Sequence, residues 1–125
     1  MLILSVQLFN MKKAYYLSTC STCKKILNQL DLPKDMDLQD IKTNKISAEQ
    51  IDQMKELAGS FENLFSRRAM KYRSMGLNEK ELSESDYRNL ILEEFTFLKR
   101  PVFIINDQIF IGSAKKTVEK LKAAL

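Results

Sequence analysis

The amino-acid sequence predicts an α/β fold with a mixed sheet, in the order β-α-β, three helices, β-β-α. Short strand-like runs lie near both ends of the chain, and apolar residues recur with helical spacing between them. The chain has 125 residues, of which 45% are hydrophobic and 29% charged. This length and composition suit one compact soluble domain with a hydrophobic core of its own.

The first part of the chain has the pattern of a β-α-β unit. Lys13–Ser18 is a short β-prone run with aromatic residues. Four apolar residues follow at the spacing of an amphipathic helix: Cys23, Ile26, Leu27 and Leu30. One of three hydroxyl residues is expected to cap this helix: Ser18, Thr19 or Ser21. Pro33 ends it, because the residue before a proline avoids the helical conformation. Met36–Ile41 alternates apolar and polar residues, which predicts a second strand.

Three helical stretches are predicted in the middle of the chain. Ser47 stands three residues before Gln50, which is the spacing of a capping box at a helix N-terminus. Phe61–Arg73 is predicted as a second helix or helix-like stretch. Ser83–Glu94 is predicted as a third helix, which Ser83-Glu84-Ser85-Asp86 caps and in which apolar residues recur at helical spacing.

The last part of the chain predicts a hairpin and a helix. Val102–Ile105 is an apolar run suited to a buried strand, Asn106-Asp107 is a turn, and Gln108–Ile111 is the returning strand. Ala114–Leu125 is the final helix. A β-α-β unit followed by a β-β-α unit, with CxxC between the first strand and the first helix, is the plan of the thioredoxin-like folds. The three middle helices then form an insertion lobe.

The composition excludes several kinds of site. The chain has no histidine and two cysteines, so imidazole bases, cysteine–histidine pairs and the usual histidine or four-cysteine zinc sites within one chain are ruled out. No metal is expected, although a metal shared between two chains stays an open alternative. The net charge of +4 is mild, and no Lys/Arg block is interleaved with aromatic residues. Direct nucleic-acid binding is therefore not predicted.

The first ten residues differ in composition from the segment that follows them. They are apolar, but they lack a basic segment before them and are too short to span a bilayer. We interpret residues 1–10 as an upstream start-site extension or a short extra strand, and residues 11–125 as a single domain that begins at Met11. No export signal or membrane span is expected, and a cytoplasmic location is predicted. In that compartment a two-cysteine motif is more often catalytic or redox-sensing than structural.

Cys20 and Cys23 are the predicted redox-active residues. Cys20 falls at the N-terminus of the first helix, where unpaired N–H groups and the helix dipole stabilise a thiolate. Hydroxyl groups nearby offer hydrogen bonds: Thr19, Ser21 and Thr22. We expect a depressed pKa for Cys20 and a less exposed, resolving role for Cys23. The alternative is that both cysteines are small buried residues without redox chemistry.

Three segments carry a family resemblance: YYLSTCSTCKKIL, LFSRRAMKYRSMGL and FLKRPVFIINDQIFIG. In this order and spacing the chain resembles the arsenate reductase/Spx-type (ArsC-like) family of thioredoxin-fold proteins, from Met11 onward. The resemblance implies a thiol-dependent oxidoreductase with an oxyanion site around Cys20. Arg68 and Arg100 match two arginines that bind the oxyanion in the family's arsenate reductases, and Pro101 matches a cis-proline that faces the cysteine loop.

The resemblance also implies the partners of the reaction. In the family's arsenate reductases the nucleophilic cysteine forms a thiol–arsenate adduct that glutathione and glutaredoxin resolve. We therefore expect no bound cofactor, and glutathione, glutaredoxin or thioredoxin as electron donor to a monomeric enzyme. The substrate is arsenate, a small thiol adduct or a protein disulfide.

Two departures from the arsenate reductases leave a second function open. Those enzymes have a third arginine where this chain has Ile111-Gly112-Ser113, and they typically lack a partner for the nucleophile such as Cys23. Both features resemble the Spx-type regulators, in which a CxxC disulfide is a switch and the partner is the RNA polymerase α subunit. For Arg68 the alternative is an ordinary solvated helix face.

Overall fold

The computed structural model describes residues 11–125, and the predicted α/β architecture is confirmed. This part of the chain contains four strands and five helices: β1 (Lys12–Tyr16), α1 (Ser21–Gln29), β2 (Asp37–Asp40), α2 (Ala48–Ala58), α3 (Met70–Ser74), α4 (Glu84–Glu93), β3 (Val102–Ile105), β4 (Gln108–Ile111) and α5 (Lys115–Ala124). The interpretation of residues 1–10 lies outside the described residues, and one domain over 11–125 stays a prediction.

The chain divides into two compact units. Among the described residues, 11–44 and 100–125 form the first, called here the sheet unit, and 45–99 form the second, called the helical unit. The predicted insertion lobe is the helical unit.

The sheet unit contains one mixed sheet with the strand order β2-β1-β3-β4. β1 is parallel to β2 and antiparallel to β3, and β4 returns antiparallel to β3. Tyr15 pairs with Val102, and Val102 pairs with Ile111. The C-terminal ends of β1, β2 and β4 therefore meet the N-terminal end of β3 at one edge, called here the thiol end of the sheet.

Helices α1 and α5 cover the same face of this sheet. Their buried residues form one core cluster with residues of β1 and β3: Ala14, Ile26, Leu30, Phe103, Ile105 and Leu121. Each fully buried aliphatic or aromatic side chain contributes on the order of 1.5–3 kcal/mol relative to an exposed one. Because α1 and α5 share this core, their N-terminal ends are held on one side of the sheet.

The thiol end is tied together by backbone hydrogen bonds. The Gly112 N–H donates to the Pro101 carbonyl oxygen at 2.9 Å, and the Ile41 N–H donates to the Tyr16 carbonyl oxygen at 2.9 Å. Gly112 has φ +89°, a conformation that L-residues rarely adopt, so the turn from β4 towards α5 favours glycine. One bond joins the chain after β4 to the chain before β3, and the other joins the chain after β2 to the last residue of β1.

The predicted capping box at Ser47 is present, and the predicted cap at Ser83 is a second capping box. At α2 the Ser47 hydroxyl accepts from the Gln50 N–H at 3.1 Å, and the Gln50 side chain accepts from the Ser47 N–H at 3.1 Å. At α4 the same reciprocal pair joins Ser83 and Asp86. Both signals are local in sequence, which is why they predict the helix starts correctly.

The prediction of a helix over Phe61–Arg73 is wrong. A 3-10 turn covers 62–64, the chain is extended at Phe65 and Ala69, and only Met70–Ser74 is α-helical. Phe65 is fully buried and lies against three other rings: Tyr72, Tyr87 and Phe97. Its backbone forms an isolated bridge with Leu98. Tertiary packing of one aromatic ring therefore overrides the local helical spacing.

Candidate thiol site

Cys20 occupies the N-cap position of α1. It has an extended backbone (φ −93°, ψ 113°), and its carbonyl oxygen accepts the Lys24 N–H at 3.2 Å. No side chain caps this helix, so the prediction of a cap from Ser18, Thr19 or Ser21 is wrong. The helix begins at Ser21, so Cys20 lies at its N-terminus and Cys23 within its first turn, as the sequence predicts. The N–H groups of its first turn are left for the Cys20 sulfur.

Asp40, at the end of β2, holds the loop that leads to Cys20. Its Oδ1 accepts the Ser18 N–H and the Lys42 N–H, each at 3.2 Å. The Ser18 hydroxyl, above all, and these N–H groups keep the pKa of Asp40 below its usual value. Within the loop the Cys20 N–H donates to the Leu17 carbonyl oxygen at 3.0 Å. Sequence reasoning missed Asp40; the available signal was an acidic residue at the end of a predicted strand that pairs with β1.

Several groups act on the ionisation of Cys20, and they oppose one another. Partial burial is the largest single effect and disfavours the thiolate. Hydrogen bonds from the Cys23 backbone and thiol, the charge of Arg100 and the Thr22 backbone favour the thiolate, and together they lower the pKa of Cys20 below its usual value. The direction agrees with the expectation for a cysteine at a helix N-terminus.

Cys23 has the opposite shift. Its side chain is fully buried, and burial, with the neighbouring Cys20, raises the pKa of Cys23 to about 11. At neutral pH Cys23 is therefore a neutral thiol that donates a hydrogen bond to Cys20. Both cysteines are free thiols in this structure.

Arg100 and Pro101 complete the site within the sheet unit. The charge of Arg100 acts on both cysteines, and its side chain is half-buried with the Nε atom fully enclosed. The Arg100–Pro101 peptide bond is cis, as the sequence resemblance implied, and Pro101 is buried. An always-charged guanidinium close to a thiolate provides a place where an oxyanion can bind.

The other residues predicted for the site are exposed on the surface. Thr19, Ser21 and Thr22 are exposed. Thr22 acts on Cys20 through its backbone N–H, and the predicted contribution of the three hydroxyls stays a prediction. Arg68 is exposed and belongs to the helical unit, where its N–H donates to the Ser66 hydroxyl at 3.4 Å. Its predicted anion-binding role also stays a prediction.

Arg67, the neighbour of Arg68, has a structural position in the helical unit. Its guanidinium donates to a Glu62 carboxylate oxygen at 2.8 Å and to the Tyr87 hydroxyl at 2.9 Å. The guanidinium also lies 5.7 Å from the centre of the Tyr87 ring. Of the two adjacent arginines, it is Arg67 that is bound into the helical unit by its side chain.

Residues 11–125 contain neither a candidate metal cluster nor a helix that could span a membrane. No group of three or more Cys, Asp or Glu side chains in this range is arranged to hold a metal ion. No helix in the same range is long and apolar enough to cross a membrane.

Comparison with known proteins places these features in a family. The model of the ArsC family matches residues 15–121, which includes Cys20, Arg68 and Arg100. No curated protein matches the chain. A solved structure described as a possible arsenate reductase from Streptococcus mutans is 30% identical, with a TM-score of 0.71, and the match covers 90% of this chain and 98% of that one.

Two more distant solved structures agree in fold. An arsenate reductase from Vibrio cholerae has a TM-score of 0.72 at 16% identity, covering 93% of this chain and all of that one. An arsenate reductase related protein from Brucella melitensis has a TM-score of 0.68 at 23% identity, covering 88% and 92%. With these neighbours and the strand order above, the predicted thioredoxin-like fold is confirmed.

Proposed function

The chain belongs to the ArsC family, and from this premise we propose that it is a thiol oxidoreductase with Cys20 as nucleophile and Cys23 as resolving thiol. One observation carries the proposal. Two cysteines in one helical turn have opposite pKa shifts, down at Cys20 and up at Cys23, beside the same arginine. The Cys20 thiol therefore ionises more readily and acts as the nucleophile, and the Cys23 thiol stays protonated until the disulfide is formed.

The proposed reaction proceeds in two exchange steps. The Cys20 thiolate attacks an electrophilic atom of the substrate, forms a covalent bond to it and displaces a leaving group. For arsenate this forms an S–As bond, and one arsenate oxygen leaves as water after protonation. Cys23 then loses its proton to solvent and attacks the Cys20 sulfur. The S–S bond forms, the S–As bond breaks, and its electron pair stays on arsenic, which is reduced from As(V) to As(III).

An external dithiol or two thiols then restore the enzyme. They reduce the Cys20–Cys23 disulfide with two electrons and become a disulfide themselves. Glutathione with glutaredoxin, or thioredoxin, is the proposed donor, from the family resemblance. A small thiol adduct or a protein disulfide is the alternative substrate, since the same two steps apply with a sulfur atom in place of arsenic.

Arsenate as substrate is supported by the cations near the thiol. Arg100 acts electrostatically on Cys20, and guanidinium groups bind tetrahedral oxyanions by paired hydrogen bonds. We propose that Arg100 binds the oxyanion and that Arg68 contributes a second guanidinium. The turn at Ile111-Gly112-Ser113 supplies no third arginine, which predicts weaker oxyanion binding than a three-arginine site would have.

The test is turnover by three proteins with arsenate and with a glutathione mixed disulfide. Wild type is expected to turn over at least one of these substrates with a thiol donor. Cys20→Ser is expected to have no thiol-dependent activity. Cys23→Ser, treated with substrate before any thiol donor is added, is expected to stop at a covalent adduct on Cys20 that mass spectrometry detects. If reduced wild type turns over neither substrate, the proposed function is wrong.

A Spx-type redox switch is the second candidate, favoured by the hydrogen bond between the Cys20 and Cys23 side chains within one helical turn. In that case the Cys20–Cys23 disulfide changes the affinity for a partner, the RNA polymerase α subunit, and no substrate is consumed. Pull-down of the α subunit by the reduced and oxidised protein tests it. Equal retention in both redox states, or none in either, would remove this candidate.

A further inference from the structure

The charges of the sheet unit are separated between its two ends. Six basic residues lie at or near the thiol end: Lys24, Lys25, Lys42, Arg100, Lys115 and Lys116. One carboxylate, Asp40, lies there, and it already accepts two N–H groups. The other charged residues of this unit are five basic and five acidic, so they cancel. The helical unit has nine basic and ten acidic residues. The excess positive charge of the chain is thus located around Cys20.

The topology explains how five separate lysines reach one end. Lys24 and Lys25 lie near the start of α1, and Lys42 comes two residues after β2 ends. α5 begins at Lys115, shortly after Gly112, whose N–H is bonded to Pro101. Both helices pack on the same sheet face through one core.

These five lysines are exposed and available. Within residues 11–125 none of them forms an ion pair, in contrast to two lysines of β1 in the same unit. Lys12 pairs with Asp35 at 3.3 Å, and Lys13 pairs with Asp37 at 2.7 Å. Among the described residues of the sheet unit, ion pairs therefore join carboxylates to two of the five lysines away from the thiol and to none of the five beside it.

Charged side chains, and not large apolar ones, are exposed around Cys20 among the described residues of the sheet unit. In that part of the chain the exposed large hydrophobic side chains are Leu38, within β2, and Leu125, after the last turn of α5. Neither lies at the start of α1 or α5, where four of the five lysines are found. The described surface of the sheet unit therefore offers a partner of Cys20 charge and not an apolar patch.

We propose that this basic end is a docking surface for an acidic dithiol protein that reduces the Cys20–Cys23 disulfide. The proposal rests on the proposed function and adds the charge of the electron donor. Cys23 is fully buried, so a donor must attack at Cys20, and its surface must then face these lysines. Carboxylates around the donor's dithiol would complement them, and such steering raises association rates by about 10- to 10³-fold at low salt.

The exchange balances without further reactants. A donor thiolate attacks the Cys20 sulfur, the Cys20–Cys23 bond breaks, and Cys23 leaves as a thiolate that takes up a proton. The second donor thiol loses its proton and attacks the donor sulfur of the mixed disulfide, which frees Cys20 as a thiolate. The donor is oxidised by two electrons, and the protein is reduced by two.

A matched pair of dithiol peptides tests the proposal on the full-length oxidised protein. Both contain the same CxxC, flanked by glutamates in one peptide and by glutamines in the other. The second-order rate of disulfide reduction is measured with each, and each rate is divided by that peptide's rate with hydroxyethyl disulfide, which removes differences in intrinsic thiol reactivity. Wild type is expected to prefer the glutamate peptide about tenfold at low salt, and the preference should vanish near 1 M salt.

Variants locate the effect. Lys42→Gln/Lys116→Gln is expected to lower the preference several-fold while leaving reduction by the uncharged reagent dithiothreitol unchanged. The control Lys45→Gln/Lys80→Gln removes two exposed lysines of the helical unit and should keep the wild-type preference.

The outcomes separate this proposal from the function on which it rests. A protein that forms no Cys20–Cys23 disulfide overturns both. A protein that forms the disulfide and is reduced equally by the two peptides, or in which both double variants behave alike, overturns this proposal alone. Tight binding of a short single-stranded DNA that is lost in Lys42→Gln/Lys116→Gln, without any peptide preference, would assign the surface to nucleic acid and also overturn it.

Discussion

Helices α1 and α4 begin in opposite ways. The N-terminus of α4 is closed by its own side chains: the Ser83 hydroxyl accepts from the Asp86 N–H at 3.2 Å, and the Asp86 carboxylate accepts from the Ser83 N–H at 2.9 Å. The N-terminus of α1 has Cys20 at the cap position, no capping side chain and no acidic residue in its first turn. In α4 the N–H groups at the positive end of the helix bind capping side chains, which stabilises the helix. In α1 the corresponding N–H groups stabilise the thiolate of Cys20.

The third residue of each helix extends the contrast. In α4 it is Asp86, exposed and ionised, whose pKa is lowered by hydrogen bonds with the Ser83 backbone and hydroxyl. In α1 it is Cys23, fully buried, whose pKa is raised to about 11 by burial. The capping box of α4 uses the charged carboxylate of Asp86 at this position. In α1 the same position holds the uncharged thiol of Cys23.

The largest expected effect comes from removing Arg100, the guanidinium whose charge favours the Cys20 thiolate at the N-terminus of α1. Arg100→Gln should lower kcat/KM about 10²-fold, as the loss of one oxyanion donor does in other enzymes, and should raise the pKa of Cys20. Steady-state kinetics and the pH dependence of alkylation by iodoacetamide measure the two effects. The control Arg88→Gln breaks the Arg88–Asp52 pair and should leave both unchanged. An unaltered alkylation profile in Arg100→Gln would contradict this role.

The next effect is on stability against pH, with opposite signs at the two helices. The raised pKa of Cys23 means that its neutral thiol contributes stability below the unfolded value near 8.5 and loses it as the pH rises towards about 11, on the order of 3 kcal/mol. The lowered pKa of Asp86 means a contribution present above the unfolded value near 4 and lost as the pH falls through the folded value.

Urea denaturation of the reduced protein across this pH range measures both limbs. Cys23→Ala should flatten the alkaline loss, and Asp86→Asn should flatten the acid loss. The identical alkaline slope in wild type and Cys23→Ala would show that other groups cause it.

Exchanging the caps has a smaller expected effect. Ser83→Ala removes a capping hydroxyl and should cost about 1 kcal/mol of unfolding free energy. Cys20→Ser places a favoured N-cap residue on α1 and should increase the unfolding free energy by up to about 1 kcal/mol, while it abolishes the thiol chemistry. Urea midpoints of the two variants give the comparison. A destabilised Cys20→Ser protein would mean that the sulfur itself, and not the chemistry, favours cysteine at this cap.

The smallest expected effect comes from one backbone N–H. Thr22→Pro removes the N–H that bonds to Cys20 at a position where the first turn of a helix tolerates proline. It should move the pKa of Cys20 upward only in part, because Arg100 and the Cys23 groups remain. Ser85→Pro is the matched control in the first turn of α4 and should leave the alkylation profile unchanged. No difference between the two variants would exclude a contribution from this N–H.

Sequence-based prediction succeeded where the signal is local. The two capping boxes and the helical spacing from Cys23 to Leu30 lie within a few residues of the structures they specify. The prediction of a helix over Phe61–Arg73 failed, because the same apolar spacing is compatible with a 3-10 turn, an extended stretch and a short helix packed around the buried Phe65 ring. The extended backbone at Phe65 is stabilised by contacts with residues that are distant in sequence. Phe65 forms a backbone bridge with Leu98, and its ring stacks on that of Phe97.

The sequence by itself determined the thioredoxin-like order of elements, the CxxC at the start of the first helix and the absence of histidine chemistry. Tertiary structure decided what surrounds the thiol. The antiparallel pairing of β1 with β3 brings Arg100 to Cys20, and the parallel pairing with β2 brings Asp40 to the loop before it. Charge acts through space and falls with distance. The pKa of Cys20 and the basic surface around it are therefore set by residues that only the folded sheet places together.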